Sequence, residues 1–71
     1  GPAALLPQAA GAVRSHDPIV RETALYSMLS SGVVLVDPSV LEDLAHDRVP
    51  MVAAYAREVL RRNPVPGTEV T

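Results

Sequence analysis

The side chains in this sequence best suited to chemistry are two His-Asp pairs, His16-Asp17 and His46-Asp47, set 30 positions apart. Together they offer two imidazoles and two carboxylates, a donor set a divalent metal such as zinc accepts. A simpler reading takes precedence: each pair sits in a turn ahead of a proline-led apolar stretch, where Asp caps a helix and His is solvated. Glu42 and Asp43 are adjacent, so on a helix they point in different directions and do not form an acid pair. Ser27, Ser30, Ser31 and Ser39 have no base placed beside them. No glycine-rich phosphate loop, HExxH, GxSxG or paired-acid signature occurs, and there is no cysteine. The expectation is a chain that is not an enzyme and uses no cofactor and no metal.

The elements that carry these residues are set by a repeat. Pro18, Val20, Ala24 and Met28 return 32 positions later as Pro50, Val52, Ala56 and Leu60. A proline followed by apolar residues at +2, +6 and +10 predicts a helix with one buried stripe and its proline in the first turn, where the missing N–H costs nothing. A second correspondence, at 31 positions, relates Pro7, Ala9, Ala10 and Val13 to Pro38, Val40, Leu41 and Leu44. Two helices in each half therefore have counterparts, in the order helix, helix, connector, helix, helix. A period in this range marks stacked helical hairpins.

The run Asp17-Pro18-Ile19-Val20-Arg21-Glu22-Thr23-Ala24-Leu25-Tyr26-Ser27-Met28 resembles the second helix of a HEAT repeat, with its Asp-Pro turn, Val-Arg, then Ala and Leu at helical spacing. The second copy keeps Asp47, Pro50, Val52, Ala56 and Leu60. It has Ala53 where the family usually has Arg, and Arg48-Val49 between the Asp and the Pro. The resemblance covers residues 3–62 and implies an all-α fold: about four antiparallel helices forming two stacked HEAT-like hairpins, a short α-solenoid fragment. It also implies that Asp17, Arg21 and Asp47 help to tie neighbouring repeats together, a role that Ala53 cannot fill at the second repeat.

In chain order, Gly1-Pro2 reads as the scar of a cleaved tag, residues 3–62 as the helical domain and 63–71 as a disordered tail. The first helix is expected at Ala3–Arg14, with Gly11 letting a neighbouring helix approach closely. The second starts at Pro18 with Asp17 as N-cap and stops at Gly32. Val33-Val34-Leu35-Val36 is either an apolar connector whose alternate side chains plug the end of the core, or the first turn of the next helix. The third helix, capped by Asp37, ends near His46. The fourth runs from Pro50 to Arg62, stopped by Asn63-Pro64 and finished by arginines that suit the negative end of the helix dipole.

Seventy-one residues make one small domain, near the size at which a single core only just outweighs chain entropy. The sequence is 48% hydrophobic, built from Ala, Val and Leu with two tyrosines as its only aromatics. Its formal net charge is −2, which disfavours nucleic acid, the alternative function in which the six arginines Arg14, Arg21, Arg48, Arg57, Arg61 and Arg62 would bind it. Residues 3–14 lack the basic start and long apolar core of a signal peptide, so no membrane role is expected and a cytoplasmic location is favoured. With Val20, Ala24, Met28, Val52, Ala56 and Leu60 assigned to the core, the opposite helix sides carry Ile19, Tyr26, Met51, Tyr55 and Arg62. In HEAT-like solenoids the second helices line the partner-binding side, so the resemblance makes these five the candidate protein-binding residues. The partners expected are another protein or adjacent domains of a parent chain, or a second copy meeting an open end of the stack.

Overall fold

The structure, a computed structural model, describes residues 11–64. It contains helices α1 (Pro18–Ser31), α2 (Pro38–Leu44) and α3 (Pro50–Arg62), and no strand occurs among the described residues. Each helix opens on proline, whose fixed φ suits the first turn. Asp17 caps α1 by accepting the Ile19 N–H at 2.9 Å. Gly32, at φ 74°, closes it, its N–H donating to Met28 O in the left-handed conformation that glycine adopts without strain.

The other starts depart from expectation. Asp37 occupies the N-cap position of α2, with the extended backbone of a cap residue, but its side chain makes no capping hydrogen bond. Asp47 does not cap α3 either. Arg48-Val49 intervene, Val49 becomes the N-cap residue, and Asp47 instead accepts the Val49 N–H at 2.9 Å in a turn of its own.

α3 packs against both α1 and α2, which do not pack against each other. The core is Val13, Ala24, Leu25, Met28, Leu41, Leu44, Ala45, Val52, Ala56 and Val59. Each large apolar side chain fully removed from water there contributes about 1.5–3 kcal/mol. Ala53 and Ala56, buried on α3, keep helix surfaces close. Val34, Leu35 and Val36 are all half-buried against this core in irregular backbone, so the connector presses a continuous strip inward instead of alternate residues.

Two core assignments are corrected. Val20 is 39% exposed although its counterpart Val52 is fully buried, because α3 has neighbours on two flanks and α1 meets only α3 among the described helices. Leu60, matched to Met28, is only half-buried, near the C-terminal end of α3. A Cβ placed on Gly11 would meet nothing within 4 Å, so that glycine serves no close approach. The expected first helix lies mainly outside the described residues, which show helical backbone only at Gly11 and Ala12. The tag scar and all of the tail after Pro64 lie outside them too. What is described is a small all-helical unit of three helices, in which α2 and α3 form a helical hairpin.

Candidate functional site

Two features bridge α1 and α3. At their N-terminal ends, Arg21 grips Asp47 with two parallel bonds, Nε to Oδ2 and Nη2 to Oδ1, both 3.0 Å. The same guanidinium donates through Nη1 to Ser15 O at 2.9 Å and His16 O at 3.2 Å. One side chain thus joins the turn before α1, α1 itself and the turn before α3. Its side chain is 15% exposed and that of Asp47 11%. Hydrogen bonding from Arg21, reinforced by the Val49 amide and the guanidinium charge, holds the Asp47 carboxyl below the usual carboxylate range despite its partial burial.

Further along, Tyr26 of α1 and Tyr55 of α3 meet with ring centroids 6.0 Å apart and planes tilted by 44°, a separation aromatic pairs favour. The arginine tie and the tyrosine contact come in the same order along both helices, so α1 and α3 run in the same general direction. Tyr26 is 57% exposed, whereas Tyr55 is half-buried and packs against the core. Ile19 lies two turns before Tyr26 on α1 and is 71% exposed. Met51 lies one turn before Tyr55 on α3 and is 47% exposed. Arg62, the fifth candidate, stands apart at the end of α3 and donates to Glu58 Oε2 at 2.7 Å. Arg61 also grips Glu58, and the two arginines draw the Glu58 carboxyl down to about 2.

The structure therefore brings Tyr26 and Tyr55 into contact, leaves Ile19 and Met51 open to water on the same helix pair, and puts Arg62 in a separate local charge cluster. Sequence reasoning did not foresee the tyrosine contact: the two positions are 29 apart, not 32, and so are not repeat counterparts.

The residues first considered for chemistry are dispersed. Among the described residues no three His, Asp or Glu side chains gather to hold a metal ion. Ser27 donates its hydroxyl to Thr23 O, and Ser31 accepts the Val33 N–H. An open cleft of about 410 Å³ lies between the turn at 13–16 and α2, lined in part by the Arg21–Asp47 pair. Across it Arg14 and His16 sit with Asp43, none of the three making a side-chain hydrogen bond among the described residues. No described helix is long and apolar enough to cross a membrane. Comparison of the chain with protein-family models, curated proteins and solved structures gives no match.

Proposed function

We propose that this chain is a non-enzymatic protein-interaction module of HEAT-like helical hairpins, binding another protein or an adjacent domain of its parent chain through Ile19, Tyr26, Met51 and Tyr55. The observation that carries this reading is the tyrosine pair spanning α1 and α3, with exposed Ile19 and Met51 beside it. Tyrosine and methionine supply large contact area at modest entropic cost, and aromatic anchors dominate binding energy at interfaces. The HEAT-like part is supported by two similarly directed, proline-led helices joined by an Arg–Asp tie, where the resemblance expects one. Arg62 is the weakest member of the set, since its guanidinium is engaged with Glu58.

The test uses a random-peptide display library panned against the whole chain. Selected peptides should lose about 1–3 kcal/mol of affinity on Tyr26→Ala and on Tyr55→Ala. Thermal melts come first. Tyr26→Ala should leave the midpoint nearly unchanged, whereas a buried aromatic would cost about 3–5 kcal/mol on truncation. Unfolding of Tyr26→Ala, or peptides indifferent to both substitutions, refutes the proposal.

A further inference from the structure

Tyr26 and Tyr55 are the only phenols in the chain, which also has no cysteine and no tryptophan. An oxidant that removes electrons one at a time therefore finds its easiest donors in these two rings. The fold holds both donors together, with centroids 6.0 Å apart and planes tilted by 44°. Of the two methionines, Met28 is buried, and Met51, 47% exposed, takes up an oxygen atom instead of releasing a single electron. Residues 1–10 and 65–71 contain no tyrosine, so no ring outside the described residues competes.

The two rings differ in access. Tyr26 is 57% exposed and open to a large oxidant, whereas Tyr55 is half-buried and packs against the core. Neither hydroxyl takes part in a hydrogen bond among the described residues, so no such bond has to break before a phenol loses its proton or its ring turns. Rotation of an exposed side chain such as Tyr26 is fast, on the picosecond to nanosecond scale.

We propose that Tyr26 and Tyr55 are an oxidative coupling site, at which hydrogen peroxide and a haem peroxidase join the two rings into a dityrosine that staples α1 to α3. Tyr26 is oxidised first, losing one electron and its hydroxyl proton. An electron and a proton from Tyr55 then refill it, which moves the radical to the shielded ring, and a second oxidation of Tyr26 leaves a radical on each. A carbon–carbon bond forms between the positions ortho to the two hydroxyls. The hydrogen that each of those carbons carried shifts to the phenolic oxygen, restoring both rings. The two electrons and two protons released reduce one hydrogen peroxide to two waters. The staple adds a second tie beyond Arg21–Asp47, on a helix that meets only α3 among the described helices. It depends on the ring pair and not on any partner bound there.

Whole chain at low micromolar concentration, treated with a haem peroxidase and hydrogen peroxide, should give the blue fluorescence of dityrosine in a product of single-chain mass. Trypsin cleaves after Arg21, Arg48 and Arg57, so that product should yield peptides 22–48 and 49–57 joined, less one hydrogen from each ring. The coupled fraction should hold on about tenfold dilution, because each ring carries its partner in the same fold. Tyr26→Phe and Tyr55→Phe keep the ring and lose the phenol; each should melt like wild type and give no single-chain product. The stapled chain should melt at least about 5 °C above the untreated one, as cross-links that close long loops do. Chain-to-chain dimers that vanish on dilution, with no single-chain product, overturn the site, as does a single-chain product from either Phe variant. A stapled chain that melts no higher overturns it too, since its rings then joined away from their native arrangement.

Discussion

Arginine grips a carboxylate at both ends of the α1–α3 pair, and the two grips do different work. Arg21 and Asp47 are 26 residues apart in sequence, largely shielded from water, and join two helices and the turns before them. Glu58 with Arg61 and Arg62 is confined to consecutive turns of α3 and is open to solvent. The exposed grip has the shorter bonds, 2.5–2.9 Å against 3.0 Å, and the drop in carboxyl pKa is in the same direction at both. The physical difference lies in what each group loses without its partner. Glu58 returns to water, whereas Asp47 would be left partly desolvated with Val49 N–H as its remaining donor. Bond geometry alone therefore does not rank ion pairs; shielding and the distance in chain that they close do.

The largest expected effect follows from Arg21→Ala. It removes the bidentate pair and both carbonyl contacts, and should cost about 3 kcal/mol from a total stability on the order of 5, measured by urea denaturation. A loss below about 1 kcal/mol would put this pair in the same class as the exposed one and dissolve the contrast. Acid sharpens the same point. Because the folded-state pKa of Asp47 is depressed, its contribution is fully present above the ordinary carboxylate pKa near 4 and is lost as pH falls through the lower folded value. The pH dependence of unfolding in that window should shrink in Asp47→Asn.

An intermediate effect is expected at the caps. Asp17→Ala should cost about 1 kcal/mol, and Asp37→Ala only a few tenths, since the Asp17 side chain bonds a first-turn amide and the Asp37 side chain does not. Equal losses would mean that the cap bond is not what separates them. The smallest effect belongs to Glu58→Gln, which should leave the thermal midpoint nearly unchanged at moderate salt, as for exposed pairs generally.

The ends of α1 and α3 were legible in sequence because Pro18, Gly32, Pro50 and Asn63-Pro64 act locally. Burial was less legible, because it depends on neighbours. Val20 and Val52 occupy the same step of the repeat, yet only α3 is flanked on two sides by described helices. The resemblance gave Arg21 and Asp47 a tying role, and the structure pairs them with each other. It could not reveal the contact of Tyr26 with Tyr55, since rings at positions 29 apart meet through the helices' relative offset, which no pattern within one helix encodes. Exposure of Ile19 and Met51 followed from helical spacing; the placement of Arg62 beside Glu58 instead of on the tyrosine stripe did not follow from the repeat alignment.

Because α3 is the helix against which both α1 and α2 pack, the molecule has a hierarchy of opening. α1 can detach while α2 remains docked, and the reverse, but α3 cannot leave without releasing both. Its central amides, around Ala56 and Val59, should therefore exchange with deuterium only through global unfolding, whereas those of α1 exchange through a cheaper partial opening. Of the three described helices, α3 is thus the one that makes the others a single cooperative unit.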